Sequence, residues 1–292
     1  MKAIYTVGEI GLELFKKGKV RETFFFDGNL LMVATDRISA FDVVFPTPIP
    51  YKGIVLNMLS AFWFEKTKNI VENHFITTNI PENLPEVLKY RSMVVKKTKP
   101  IELECVVRGY ITGSAFKEYK KTGGKLWGYE LGEGLKEGAR LDEPIFTPAI
   151  KKQDKDVTIS VGEAKRIFGD EVVEKLREYS LKLYRFGHEY VLKKGLILAD
   201  TKFEFGHLSD RIILIDEIFT PDSSRYWLKE EYEKGKLESM DKQFFRNYLL
   251  GIEWSRDNPP KIPKKIVEKT KERYLKLYEM ITEKNLENEI KN

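Results

Sequence analysis

The sequence is poor in the residues and runs that mark several classes of protein. Cysteine occurs once, at Cys105, so no disulfide can form within the chain. No apolar run reaches the roughly 18 residues that a membrane span needs. Residues 1–6 carry no long apolar stretch ending in small residues, so we expect no signal peptide. These features predict a cytoplasmic protein without a membrane partner.

Charge of neither sign dominates the chain. It has 50 basic and 45 acidic residues among 292, a net charge of +5 that is spread along the sequence. A nucleic-acid binder concentrates basic residues on one face or in one tail, so we expect no nucleic-acid partner. A modest positive balance suits small anionic substrates such as nucleotides. The sequence leaves open whether the protein is a monomer or a homo-oligomer.

The first hundred residues are predicted to be mostly strands and turns. The β-rich runs 23–26 and 30–35 flank Asp27-Gly28-Asn29, a pattern typical of a hairpin. Two further strands are expected at 93–97 and 103–107, joined near residues 98–102. A chain of this length commonly divides into two lobes, and this joint predicts a β-rich lobe at 1–100 and a mixed α/β lobe at 101–292.

The second part alternates helices, loops and strands. Ser160 and Glu163 have the spacing of a capping box at the start of a helix, which Gly169 interrupts and Gly195 ends. The remaining elements predicted here are a helix at 111–121, a loop at 123–148, strands at 196–205 and 211–219, and helices at 241–250 and 264–284.

The run from 196 to 206 carries the pattern most suggestive of chemistry. If it is a strand, its side chains alternate between faces, so Asp200, Lys202 and Glu204 share one face. The opposite face is largely apolar and aromatic and fits a core. A face that presents an acid, a base and an acid fits either solvent or a charged ligand.

The next strand ends in Asp216-Glu217, and the short connection between the strands predicts an antiparallel hairpin. With an even sum of paired residue numbers, Glu204 and Asp216 would project to the same side; with an odd sum they would be separated. Two carboxylates together could hold Mg²⁺ against nucleotide phosphates, with Lys202 as a nearby positive charge. A hairpin with one ordinary solvated face is an equally good interpretation of these residues alone.

Several long segments resemble, in order, the phosphoribosylaminoimidazole-succinocarboxamide synthase (SAICAR synthetase) family, in its longer, fungal-like form. The segments are 18–21, 35–42, 52–54, 104–114, 198–206 and 216–225. The resemblance implies a two-lobed, ATP-grasp-like α+β fold. It also implies an ATP-dependent ligase that joins L-aspartate to a carboxylated aminoimidazole ribonucleotide in purine biosynthesis, with ATP and Mg²⁺ as cofactors.

The resemblance also implies roles for residues of the nucleotide site. Lys19 and Arg21 match the loop that contacts the ATP phosphates, although no Walker A motif occurs. Lys97 belongs to the segment 96–103 that matches the adenine-holding hinge. Glu204 and Asp216 match the magnesium region and Lys202 an active-site lysine, and we take these three as the catalytic residues.

For the two other substrates, the resemblance implies a phosphate site, an imidazole site and an aspartate loop. The ribonucleotide phosphate would be held by two guanidiniums and a hydroxyl, with a glycine for close approach. The aspartate loop lies in the segment 144–160, where Ser160 has the alternative role of a helix cap. The substrate-binding candidates are Arg108, Gly113, Ser114 and Arg225 for the phosphate, Asp42 and Glu104 near the imidazole, and Lys151, Asp156 and Ser160 for aspartate.

Two other functions fit the same acidic strand. A small-molecule kinase would share it but would have no aspartate site, and aspartate-dependent ADP release separates the two enzymes. A nucleotide-binding regulator would bind ATP but release no phosphate when all substrates are present.

Overall fold

The structure is a computed structural model that describes residues 3–152 and 155–291. The strands are β1 (Leu14–Lys17), β2 (Arg21–Phe26), β3 (Asn29–Ala34), β4 (Ser39–Ala40), β5 (Val43–Val44), β6 (Phe75–Thr77), β7 (Ser92–Val95), β8 (Lys99–Pro100), β9 (Cys105–Tyr110), β10 (Lys125–Leu126), β11 (Tyr129–Glu130), β12 (Arg140–Phe146), β13 (Ala149–Lys152), β14 (Lys155–Thr158), β15 (Leu196–Leu208), β16 (Arg211–Ile215) and β17 (Ser224–Leu228). The helices are α1 (Lys52–Thr67), α2 (Gly113–Thr122), α3 (Val161–Phe168), α4 (Asp170–Leu192), α5 (Lys229–Glu233), α6 (Gln243–Leu250), α7 (Lys264–Thr282) and α8 (Leu286–Lys291), with a 3₁₀ turn at Glu86–Leu88.

The first sheet is antiparallel and has the strand order β1-β2-β3-β7-β6. The predicted hairpin joins β2 to β3, with Phe26 opposite Asn29 and a two-residue turn at Asp27-Gly28. Both turn residues have positive φ, 45° and 73°. This is the geometry of the tight hairpin turns whose twist matches the strands, and it explains the glycine.

The second sheet is organised around β15, the longest strand. Its main path runs β12-β9-β15-β16, and both β17 and β8 also pair with β15. Asp200 of β15 lies opposite Arg108 of β9 and opposite Arg225 of β17. The sheet register therefore brings together charged residues that lie 92 positions apart in one pair and 25 in the other.

The predicted loop at 123–148 is wrong in part, because it contains β10, β11 and β12. The last of these carries Pro144. β12 lies at the edge of the second sheet, and its pairing with β9 shifts register between Arg140 and Ile145. Proline, which lacks an N–H, is tolerated at such edges and irregularities.

The predicted helices are confirmed, with small changes at their ends. The side chain of Ser160 accepts a hydrogen bond from the backbone N–H of Glu163, whose own side chain reaches back to the cap, so the capping box is present. The chain breaks between α3 and α4 at Gly169, as expected. One face of α4 packs against β15 and β9 and fixes the back of the second sheet.

The hydrophobic core is continuous across both sheets. Its largest cluster takes side chains from α1 and β7 as well as from β15, α4 and α7. The first sheet lies within residues 1–100, as expected, but α1 packs directly against α7 of the C-terminal part. The division into lobes at residue 100 stays a prediction.

Within the described residues, no helix is both long enough and apolar enough to cross a membrane.

Candidate active site

Two neighbouring cavities open where the two sheets meet. We call the larger one, about 370 Å³, the polar cavity, because charged and hydroxyl side chains line most of it. We call the smaller one, about 170 Å³, the hinge cavity, because it is bordered by the segment 96–104 that connects the sheets. The hinge cavity has apolar walls formed by Leu30, Met32, Val95, Leu103 and Ile215.

Lys202 joins the two cavities. It lines the polar cavity, and its Nζ donates to Glu104 at 2.9 Å and to Glu204 at 2.6 Å, both of which border the hinge cavity. Burial alone would lower the pKa of Lys202, but Glu204, Glu104 and Asp216 outweigh it and raise the pKa above its usual range. Lys202 is therefore a fixed positive charge between the cavities.

Glu204 and Asp216 border the same cavity, although the strand register is the odd one. Glu204 pairs with Ile215, a sum of 419, so strict alternation would put Asp216 on the other face. β16 ends at Ile215, however, and Asp216 has a φ of 69°. This left-handed residue breaks the alternation, so both residues border the hinge cavity.

Arg21 connects the first sheet to the turn that carries Asp216 and Glu217. Its Nη2 lies 2.5 Å from Asp216 and 3.3 Å from Glu217. Burial would lower the pKa of Arg21, but the two acids raise it above its usual value. Glu217, which the sequence paired with Asp216 but which received no role, is buried and accepts a hydrogen bond from Thr220.

The residues predicted to bind the phosphate are assembled around Asp200. This carboxylate accepts from Arg108 Nη1 at 3.1 Å and from Arg225 Nη1 at 2.6 Å. Arg108, Arg225 and Ser114 all line the polar cavity, and Ser114 lies in the first turn of α2. Two guanidiniums, a hydroxyl and a helix N-terminus together suit a phosphate.

Gly113 lies directly against this group. Its φ is 57°, and a Cβ there would stand 2.8 Å from Nη2 of Arg225. The sequence had suggested that this glycine lets the backbone approach a ligand. In the structure the close approach is to the guanidinium of Arg225.

Lys19 and Asp42 lie on the polar cavity and pair with each other at 2.6 Å. Asp42, which was predicted to contact the substrate near the imidazole, therefore lies on the polar cavity. Lys19 had been assigned to the ATP phosphates, but it does not border the hinge cavity, so this role stays a prediction.

The hairpin of β13 and β14 carries two candidate aspartate-binding residues, which border different cavities. Lys151 and Asp156 are opposite each other in register, and Lys151 borders the hinge cavity while Asp156 borders the polar cavity. Ser160 borders neither of them and serves as the cap of α3. The geometry therefore favours the alternative interpretation of Ser160 as a helix cap.

Lys97 is not brought to either cavity. Its Nζ lies over the ring of Phe25 at 4.9 Å from the centroid, on the outer side of the first sheet. Its neighbour Lys96 does border the hinge cavity. A role of Lys97 in ATP binding would therefore involve its backbone and not its side chain.

A buried cluster of four residues beneath the polar cavity escaped the sequence reasoning. Asp222 accepts from Lys52 at 2.8 Å, from Lys242 at 3.0 Å and from the hydroxyl of Tyr274 at 2.6 Å. All four side chains are more than nine-tenths buried. Their positions in four distant segments left no local signal, apart from the segments around 52 and 222 noted above.

His74 is a second residue that the sequence reasoning left aside. It is buried at the edge of the hinge cavity, and its Nε2 has no hydrogen-bond partner among the described residues. Burial, together with the charges of Arg21 and Lys96, lowers the pKa of His74 to about 3. The ring is therefore uncharged at neutral pH.

The fold and the site together define a class of protein. A narrow cavity with apolar walls and a backbone hinge suits a purine base. Next to it, Lys202 and the acid pair lead into a cavity rich in cations, which suits further anionic substrates. The class is a nucleotide-dependent enzyme that acts on a second, phosphorylated ligand.

Comparison with known proteins identifies the particular family. The profile of SAICAR synthetase matches residues 14–261. A phosphoribosylaminoimidazole-succinocarboxamide synthase of Thermodesulfovibrio yellowstonii is 50% identical over 93% of this chain and 96% of its own length. The chain belongs to the SAICAR synthetase family.

Solved structures agree with this assignment. The SAICAR synthase of Saccharomyces cerevisiae, complexed with SAICAR, has a TM-score of 0.84 and 41% identity, over 96% of this chain and 99% of its own. The SAICAR synthetase of Pyrococcus horikoshii has a TM-score of 0.68 and 27% identity, over 91% of this chain and 98% of its own. The greater likeness to the yeast structure agrees with the predicted fungal-like form.

Proposed function

We propose that this protein is an ATP-dependent ligase that forms the amide between L-aspartate and the 4-carboxylate of 5-aminoimidazole ribonucleotide, giving SAICAR, ADP and phosphate in purine biosynthesis. The observation that carries the proposal is the placement of Lys202 between the two cavities, within hydrogen-bond distance of Glu104 and Glu204. ATP in one cavity and the ribonucleotide in the other would meet at this lysine. The family membership supports the same assignment.

Each cavity has the groups that its substrate requires. The apolar walls and the hinge backbone would hold the adenine, and a SAICAR synthetase structure with TM-score 0.71 contains ADP. In the polar cavity Arg108, Ser114 and Arg225 would hold the 5′-phosphate. The imidazole would then extend towards Glu104 and Lys202.

The reaction needs charge neutralisation more than covalent help from the protein. The imidazole carboxylate attacks the γ-phosphorus of ATP, and ADP leaves; the amine of aspartate then attacks the acyl phosphate and releases phosphate. Lys202 offsets the negative charge at the point of transfer. Cys105 is no nucleophile, because it is buried in the core and burial raises its pKa.

Glu204 and Asp216 fit Mg²⁺ as ligands. Oxygen donors suit this ion, which commonly takes one or two carboxylates and completes its shell with phosphate and water oxygens. No group of three or more His, Cys, Asp or Glu residues in the described part could hold a metal by itself. Bound there, Mg²⁺ would neutralise the phosphate charge, while Lys202 and Arg21 hold the two carboxylates in place.

The function is tested by a coupled assay in which ATP, aspartate, the carboxylated ribonucleotide or Mg²⁺ is omitted in turn. We expect ADP release only when all four are present. ADP release without aspartate would instead indicate a kinase, and no phosphate release with the full mixture would indicate a regulator.

The metal assignment needs a measurement other than turnover. We expect Glu204→Gln and Asp216→Asn each to lose the Mg²⁺-dependent part of ATP binding, measured by calorimetry with and without the metal. Asp210→Asn is the control, since Asp210 is exposed on the same hairpin away from both cavities. Unchanged Mg²⁺-dependent binding in both site variants would contradict the assignment.

We also propose a cytoplasmic location, where ATP and aspartate are both abundant. Cell fractionation with an antibody to the chain tests it.

A further inference from the structure

Arg246 stands out among the cations of the polar cavity. Six cationic side chains line it: Lys19, Arg108, Lys202, Arg225, Lys242 and Arg246. The first five each form an ion pair with a carboxylate of the protein. The guanidinium of Arg246 forms neither a hydrogen bond nor an ion pair with any residue in the described part of the chain.

The position of Arg246 is set by its helix. Lys242 precedes α6 and Arg246 follows one turn later, so both side chains lie on the same face. Phe245 and Leu249 are buried from another face of α6 in a cluster with Phe45. This packing fixes the helix and turns the two cations towards the cavity.

The surroundings of Arg246 leave positive charge in excess. Asp222 is shared by two lysines, Lys52 and Lys242. Asp241, whose charge acts on Arg246, is already engaged by the backbone N–H groups of Tyr226 and Gln243 at 2.8 and 2.6 Å. An anion brought by a ligand would relieve this excess.

The proposed substrates carry more anionic groups than Lys202 and the proposed phosphate-binding residues can hold. The phosphate is accounted for by Arg108, Ser114 and Arg225, and the imidazole carboxylate by the region of Lys202. Lys151, the one cation among the predicted aspartate contacts, borders the hinge cavity, so no cation of the polar cavity is yet assigned to the two carboxylates of aspartate. A planar guanidinium can bind a carboxylate through two parallel hydrogen bonds.

We infer that Arg246, with Lys242 beside it, binds a carboxylate of the aspartate substrate. This inference rests on the proposed function. It places part of the aspartate site on α6, in addition to the hairpin that carries Asp156.

The test separates the Michaelis constants of the two substrates. With Arg246→Gln we expect the KM for aspartate to rise about 30-fold or more, as for loss of a buried charge-assisted contact, while the KM for the ribonucleotide stays within about twofold. Arg246→Lys keeps the charge but loses the two-pronged geometry, so an intermediate value is expected. Arg256→Gln, on an exposed loop, is the matched control and should leave both constants unchanged.

Two outcomes would overturn the inference. An equal or larger rise in the KM for the ribonucleotide would assign Arg246 to the phosphate, and unchanged constants in Arg246→Gln would remove it from the site. Circular dichroism of each variant checks that the fold is retained, and Arg246→Lys keeps the test valid if Arg246→Gln does not fold. Because the wild-type protein must first turn over all three substrates, failure of the proposed function is seen separately.

Discussion

At the scale of single residues, the geometry of the proposed phosphate site depends on the lack of a side chain at one position. Gly113 begins α2 with a φ of 57°, and its Cα lies against the guanidinium of Arg225. Asp200 accepts a hydrogen bond from Nη1 of the same guanidinium. Arg225 is thus held by a carboxylate and packed closely against a bare backbone.

A methyl group at this position should displace the arginine. We expect Gly113→Ala to raise the KM for the ribonucleotide about tenfold, since the new Cβ would stand 2.8 Å from Arg225 Nη2 and one charge-assisted contact contributes that order of energy. Steady-state kinetics measures the effect. Gly123→Ala is the control, because Gly123 ends the same helix with a φ of 63° and open space around it. An equally large rise in the KM for the ribonucleotide in both variants would show that backbone strain, and not the contact with Arg225, is responsible.

The charge of Lys242 should appear in the pH dependence of aspartate binding. Burial, opposed by Asp222 and reinforced by Lys52 and Arg246, lowers the pKa of Lys242 to about 8. The ammonium is therefore present below this pH and lost above it, so the KM for aspartate should rise as the pH passes through about 8.

Measurement of the KM for aspartate between about pH 6.5 and 9.5 checks this, across the range where such a lysine titrates. Lys242→Met serves as the comparison, because ionisation of the substrate itself persists in the variant while the lysine contribution disappears. Identical profiles in the two proteins would contradict the role of Lys242.

At the scale of elements, Ser160 shows how a local rule and a family resemblance can point to different roles. The capping box predicted the start of α3, and the structure has it. We expect Ser160→Ala to lower the free energy of unfolding by about 1 kcal/mol, with the KM for aspartate unchanged. Urea denaturation and kinetics together measure the two effects. Ser160→Asp can still cap the helix, so it should restore stability; a large change in the KM for aspartate in either variant would instead indicate a substrate contact.

Strands β15 and β16 show what the alternation of side chains along a strand can and cannot predict. Period-two alternation predicted that Asp200, Lys202 and Glu204 share one face of a strand, and Nζ of Lys202 lies 2.6 Å from Glu204. The short connection correctly predicted antiparallel pairing. The register was beyond sequence reasoning, and so was the left-handed turn at Asp216 that compensates for it. No sequence pattern marks a strained, left-handed residue at the end of a strand. Such a residue is therefore recognised only in the folded structure.

Long-range assembly accounts for the other residues that were missed. Lys52 and Asp222 lie in the segments 52–54 and 216–225 of the family motifs, but Lys242 and Tyr274 lie in segments with an ordinary local pattern. Only the packing of α1, α6 and α7 brings the four together. β12 was missed for a related reason, since its place at a sheet edge makes Pro144 acceptable. The candidate residues of the ordered motifs could be predicted, while contacts that depend on helix packing could not, even where a motif residue such as Asp222 takes part.

At the scale of the whole molecule, Arg21 ties the two sheets together beside the hinge cavity. It begins β2 in the first sheet and pairs with Asp216 and Glu217 at the end of β16 in the second. Its side chain is 19% exposed, so solvent screens these pairs only weakly. Loss of Arg21 would leave the carboxylates of Asp216 and Glu217 without their ion-pair partner.

Arg21→Met should therefore destabilise the whole fold and not only the site. We expect a loss of about 2 to 3 kcal/mol in the free energy of unfolding, because removal of one partner leaves a partly buried charge uncompensated. Arg211→Met is the control, since Arg211 pairs with Glu72 with its side chain 57% exposed, and such surface pairs contribute about 0 to 1 kcal/mol. Glu217→Gln in the Arg21→Met background removes one of the two stranded acids and should recover part of the loss. Equal effects of the two arginine variants in urea denaturation would show that the Arg21 pairs do not join the sheets.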